Sequence, residues 1–269
     1  MYICIVCCNK WVEKLSRNSL WRSLESDSSC GIPRKFLKYL KKGTGKVLGI
    51  SLITSESEEI KISKSAFVGM NNLQFLKVNS DNLCIPEGLD CVPDKLRLID
   101  WDDCPLRFWP SKFSGKFLVE LYMPHNKFEK LWGGGEFKPL PCLNLMDLSF
   151  SEYLKKIPDL SKATSLEELN LNGCKSLLEL TSSIDNATKL RVCKLKGCFL
   201  LKELPSSMGR LINLQELNLS YCSSLKKLDL GYSKIALSSS IIQDFPNVPD
   251  SIVELELCNT EIEEVPPWI

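Results

Sequence analysis

Histidine occurs once in these 269 residues, at His125. A Ser–His or Cys–His mechanism would hang on that one residue, in a Met123-Pro124-His125-Asn126 turn where a surface role is the simpler reading. No apolar run approaches the ~18 residues of a membrane span. Residues 1–8 are apolar, yet they lack a basic start and are too short for the h-region of a secretion signal. A complete phosphate loop is also missing. Gly43-Thr44-Gly45-Lys46 has neither the upstream glycine nor the Ser/Thr after lysine, and it runs straight into a strand pattern, so it reads as a turn. Acidic pairs such as Asp102-Asp103 and Glu263-Glu264 read as solvated charges. The sequence offers no active site, and the expectation is a non-enzymatic chain with no catalytic, cofactor-binding or metal residues.

Net charge is nearly absent, at +1, but it is unevenly placed. Residues 1–46 hold ten Lys/Arg against three Asp/Glu, leaving 24 against 30 in the rest, which is +7 followed by −6. The larger part is mildly acidic, which argues against nucleic-acid binding.

What the chain does have is a period. Leu166, Leu169, Leu171, Cys174 and Leu177 recur as Leu190, Cys193, Leu195, Cys198 and Leu201, then as Leu214, Leu217, Leu219, Cys222 and Leu225, 24 residues apart each time. L-x-x-L-x-L-x-x-C at a fixed spacing is the leucine-rich-repeat pattern. Alternation around Leu169-Asn170-Leu171 predicts a short strand with one buried face. Stacked copies share a core that no single copy could close. The expected fold is an α/β leucine-rich-repeat solenoid, a curved horseshoe with a parallel sheet on its concave face and short helices or 3₁₀ turns on its convex face. Leu204-Pro205-Ser206-Ser207-Met208 reads as one such return, with proline at the first helical position.

Imperfect copies start at Leu73, Leu96, Leu118 and Leu143, with spacings of 23, 22, 25 and 23 residues up to Leu166. Residues 47–52 make an irregular first coil, followed by an expected helix near residues 63–70. The frame breaks at 229–250, because Leu214 and the next start, Ile252, lie 38 residues apart. It resumes with Leu255, Leu257 and Thr260. Two regions follow: a non-repeat basic leader over 1–46, partly disordered or the remnant of a preceding domain, with a possible helix over 11–24; and a repeat domain over 47–269 with an irregular insertion at 229–250. The chain stops on Trp268 and Ile269 where a polar cap is usual, so it is expected to be incomplete or covered there.

The thirteen cysteines do not suggest a disulfide framework, since no signal peptide precedes them and several share one repeat slot. A reducing compartment, cytoplasmic or nuclear, is expected. Cys104, Cys174, Cys198 and Cys222 occupy the slot that Asn126 fills in another coil, where a small polar side chain bonds the backbone leaving the strand. Stacked at ~5 Å steps, set by strand spacing, they form a column; zinc needs converging tetrahedral ligands. Cys4, Cys7 and Cys8 lack a matching second pair.

Recognition remains. Strand residues at the third, fifth and seventh positions of each copy face away from the core and gather on the concave sheet. They include Phe75, Lys77, Asp100, Asp102, Glu120, Tyr122, Asp147, Glu168, Asn170, Lys194, Lys196, Glu216, Asn218, Glu254 and Glu256. Aromatics among mixed charges suit a protein ligand.

Further stretches carry a resemblance. Gly43-Thr-Gly-Lys-Val-Leu-Gly-Ile-Ser-Leu52 followed by Ser65-Ala-Phe67-Val-Gly-Met70, Pro93-Asp-Lys-Leu96-Arg-Leu-Ile-Asp-Trp101 and Leu118-Val-Glu-Leu-Tyr-Met-Pro-His-Asn-Lys-Phe-Glu-Lys-Leu-Trp132 resemble, in order, the repeat region of plant TIR–nucleotide-binding–leucine-rich-repeat disease-resistance proteins. Leu154-Lys-Lys-Ile-Pro-Asp-Leu160 and Ile262-Glu-Glu-Val-Pro-Pro-Trp-Ile269 extend the likeness to roughly residues 43–269. The TIR and nucleotide-binding domains that precede such repeats, and the further repeats and β-rich domain that follow them, are not in this sequence, so the resemblance implies a region truncated at both ends. It implies a recognition module of an intracellular immune receptor that senses a pathogen effector or guarded host protein, or makes an autoinhibitory contact with a nucleotide-binding domain. The competing reading is a repeat adaptor or scaffold with no immune role.

Overall fold

The computed structural model describes residues 2–6, 47–54, 59–80, 82–132, 138–226 and 252–262. The expected helix at 11–24, the turn at 43–46, Cys7 and Cys8, the irregular stretch 229–250 and the end segment 263–269 lie outside these.

One ten-stranded sheet runs the length of the molecule. β1 (Tyr2–Val6) pairs antiparallel with β2 (Gly49–Thr54) at one edge. From β2 onward every neighbour is parallel: β4 (Phe75–Ser80), β6 (Leu98–Trp101), β7 (Glu120–Tyr122), β8 (Leu145–Asp147), β9 (Glu168–Asn170), β10 (Val192–Lys194), β11 (Glu216–Asn218) and β12 (Glu254–Glu256). A second parallel pair, β3 (Ile60–Lys61) and β5 (Leu83–Cys84), lies outside this sheet. Strand β1 was not legible from its sequence, since a short apolar run with no repeat partner gives no hint of which edge it will join.

The register explains the repeat. Leu76, Ile99, Leu121, Met146, Leu169, Cys193, Leu217 and Leu255 pair in series, and all but the half-buried Leu255 are essentially sealed from solvent. Each fourth position thus stacks on the next, and the leucines of the first, sixth and twelfth positions pack into the same continuous core. β11 and β12 pair directly although their coils start 38 residues apart.

The returns differ from expectation. Residues 64–69 form turns, not a helix. Among the described residues the convex side has two 3₁₀ turns, Ser182–Asn186 and Ser206–Arg210, and otherwise bends and open turns. A dozen residues leave no room for a longer helix after the strand-exit turn and the re-entry to the next strand. Pro205 precedes the first residue of the second 3₁₀ turn and makes no side-chain capping bond; its backbone is extended at ψ 133°, and its missing N–H is equally harmless there. Thr181 caps the first, its hydroxyl accepting from the Ser183 N–H.

Candidate functional site: the concave face and its rim

The face opposite the core is built by alternation along each strand. Where a buried leucine points inward, its neighbours point out. The third position gives the row Phe75, Leu98, Glu120, Leu145, Glu168, Val192, Glu216 and Glu254; the fifth gives Lys77, Asp100, Tyr122, Asp147, Asn170, Lys194, Asn218 and Glu256. The backbone brings the expected residues of β4 and β6–β12 onto one surface. Phe75 is the exception. It holds its place in the outward row but is only 3% exposed, and neighbouring Leu98 is 6% exposed. Neither joins the main core, yet both are closed to solvent, and Phe75 offers no surface to a partner. The sequence showed its side of the strand, not its cover.

Neighbouring strands are laced by polar contacts. Lys77 pairs with Asp100 at 3.3 Å and Lys194 with Glu168 at 3.3 Å. Asn170 donates to Asp147 at 2.8 Å, and Asn218 donates to Glu256 at 2.7 Å. At the centre stands Tyr122, half-buried, without a hydrogen-bond partner for its hydroxyl among the described residues. Burial, then the nearby charges of Glu120, Glu168, Asp100 and Asp147, push that phenol well above its ordinary range. Burial and the Asp100 charge raise the Glu120 carboxyl likewise.

Beyond the strands the chain turns sharply, and the coils of β6 to β12 do so through one left-handed residue at the eighth position: Asp103, His125, Phe150, Gly173, Gly197, Tyr221 and Asn259, with φ from 45° to 75°. Glycine is the residue at ease there; Phe150 and Tyr221 are exposed aromatics holding it instead. This rim connects to the predicted face. Asp102 bonds His125 Nδ1 at 2.8 Å, the His125 ring stacks on Phe150 with centroids 5.1 Å apart and planes 10° apart, and the Lys196 ammonium sits 5.6 Å from the Tyr221 ring centroid. No periodicity in side-chain type marked this row, because the shared property is a backbone angle.

The cysteine slot behaves as a packing position that bonds backbone. Cys174, Cys198 and Cys222 donate to the carbonyls of Leu148, Leu171 and Leu195 in the preceding coil, each at 3.2 Å. Asn126 donates to Met123 O at 2.7 Å and accepts from the Phe128 N–H at 3.0 Å. Burial pushes the Cys104 and Cys174 thiols up to about 12, away from the thiolate a nucleophile needs. Neither a serine nor a cysteine bonds the His125 ring among the described residues, and no group of three His, Cys, Asp or Glu there could hold a metal ion. No described helix is long and apolar enough to cross a membrane.

One family model and several known proteins match the sequence. Residues 117–134 match the family model Leucine Rich Repeat. The chain is 56% identical over 241 residues to Disease resistance-like protein DSC2 of Arabidopsis thaliana, covering 84% of this chain and 20% of that one. It is 50% identical over 151 residues to Disease resistance protein RPP5 of the same plant, covering 54% of this chain and 10% of RPP5. The chain thus spans a fifth or less of the length of these curated relatives. A solved leucine-rich repeat domain, that of the type III effector XopL, aligns over 82% of this chain and 88% of its own at 19% identity and a TM-score of 0.38. By its repeat period, strand order and relatives, the chain is a leucine-rich-repeat solenoid of the kind found in plant TIR–nucleotide-binding–leucine-rich-repeat disease-resistance proteins.

Proposed function

We propose that this solenoid is a non-catalytic protein-recognition module of a plant intracellular immune receptor, working in the cytoplasm or nucleus. Its concave face either senses a pathogen effector or a guarded host protein, or holds a related receptor's nucleotide-binding domain in check. One observation carries the reading: eight strands in parallel register set one continuous outward face, on which carboxylates and lysines surround the half-buried Tyr122, on the side away from the core. A broad, open surface of this kind suits a protein far better than a small molecule, which needs an enclosed pocket. The relatives' names supply the immune setting. We keep the division into a leader over 1–46 and a repeat region over 47–269, irregular at 229–250, as part of this proposal.

The test is a triple charge reversal, Asp100→Lys, Lys194→Glu and Lys196→Glu, in a pull-down from plant extract with the bound proteins identified. Proteins held by the wild type should be lost while the circular dichroism stays unchanged. Capture that ignores the three changes would place the binding surface elsewhere.

A further inference from the structure

The composition of the concave face points to what sits on it, granted that it is the recognition surface. At the third, fifth and seventh positions of β4 and β6–β12, carboxylates outnumber lysines by eight to three. Two of the lysines are already used, Lys77 on Asp100 and Lys194 on Glu168. The third, Lys196, lies at the rim over Tyr221. Between the two ion pairs the charge is left over. Glu120 has no hydrogen bond or ion pair among the described residues. In the strand register it stands between Leu98 and Leu145, with Tyr122 two residues along the same strand.

We propose that this face takes a basic, arginine-bearing segment of a partner protein, with one guanidinium seated at Tyr122 and Glu120. Each part of the site matches a part of that side chain. The Tyr122 ring offers a π face to a planar cation. Glu120 offers an unshared carboxylate that a guanidinium can grip with two N–H groups. Half-buried Leu145 gives the aliphatic stem an apolar wall. Lysine matches less well, because a compact ammonium neither stacks flat nor forks. The acidic field of the whole face draws a basic chain in and disfavours an acidic one. At the adjoining rim, Phe150 is 51% exposed with its ring held against His125, an apolar edge for the residues flanking that arginine.

The experiment uses the full chain and fluorescein-labelled alternating Gly-Arg, Gly-Lys and Gly-Glu peptides, read by anisotropy near physiological ionic strength. The arginine peptide should bind best. Glu120→Gln with Tyr122→Ala should weaken it by about tenfold, since a stacked and a charged contact go together. Glu216→Gln with Glu254→Gln removes two charges from the far end of the same face, instead of one, and should weaken binding less than about twofold because exposed charges a Debye length away are screened. Tyr122→Phe keeps the ring and should retain binding, which separates the contact from any loss of fold. Equal losses in the two double variants would overturn the proposal, showing only a general attraction to negative charge. Preference for the Gly-Glu peptide, abolished by Lys194→Glu and Lys196→Glu, would also overturn it, while leaving the concave face as the recognition surface.

Discussion

The Phe150 ring lies over Gly173 of the next coil, so close that a β-carbon on Gly173 would stand 2.7 Å from Phe150 Cδ1. Gly173 also sits at φ +72°. Gly197 shares the left-handed turn, at φ +75°, but its nearest neighbours to such a carbon are 3.8 Å away. Two substitutions therefore separate two costs. Gly197→Ala should lose about 1–2 kcal/mol from backbone strain alone, and Gly173→Ala should lose more. Replacing Phe150 by Ala in the Gly173→Ala background should recover the difference in urea melts. Equal losses at the two glycines would show that the ring does not occupy this place.

Buried thiols give the fold an alkaline limit. Burial holds Cys104, Cys174 and Cys193 up to about 12, against an ordinary 9.0. Below pH 9 folded and unfolded chains both keep these protons, so the thiols contribute no pH dependence. Above it the unfolded chain ionises and the folded one does not, so stability falls as the pH climbs from about 9 towards 12. Cys193→Val, at a position where other coils carry Leu, Ile or Met, should flatten part of that decline in thermal melts. The same burial predicts slow alkylation of these three in the native state, with exposed Cys142 and Cys258 reacting first.

Aromatic packing fixes the middle of the solenoid. Phe113 lies edge-on to Trp109 at 6.0 Å and beside Trp132 at 6.1 Å, and Trp109 is edge-on to Trp101 at 6.2 Å. The indole N–H groups of Trp109 and Trp132 find no acceptor among the described residues, so shape rather than hydrogen bonding orders this cluster. Phe113→Ala should cost about 3–5 kcal/mol and shift the tryptophan emission to the red as water enters.

Concave-face ion pairs should matter little to folding. The Lys194 and Glu168 side chains are both about one-third exposed, at 31% and 35%, and pairs of this kind contribute about 0–1 kcal/mol. Lys194→Ala should leave the urea midpoint almost unmoved, so a binding defect from changes on this face reports recognition and not collapse.

Much of this was legible beforehand. The 24-residue frame from Leu166 to Leu225 specified which side chains stack, because burial repeats at the same slot once per coil. It also placed Asp100, Tyr122 and Lys194 on one face, since alternation in a strand is a fixed consequence of its geometry. Three features escaped. The burial of Phe75 depends on what covers it, which its own strand does not encode. The partnership of β1 with β2 is a long-range pairing between unlike segments. The left-handed row from Asp103 to Asn259 joins residues as different as glycine and tyrosine, and only the backbone angle unites them. The helix expected near residues 63–70 was a local propensity overridden by the short return path.

The central claim is that neighbouring coils stand in register, so that outward positions form one surface. Asn170 and Lys194 are register partners on β9 and β10, while Asn170 and Asn218 are two strands apart. Adjacent strands lie about 4.8 Å apart, inside the range a disulfide spans, whereas twice that is outside it. Oxidising the Asn170→Cys/Lys194→Cys variant should yield that intramolecular disulfide in peptide mass spectra, and Asn170→Cys/Asn218→Cys should yield none. A bond in the second variant, or none in the first, would contradict the register on which the recognition surface is built.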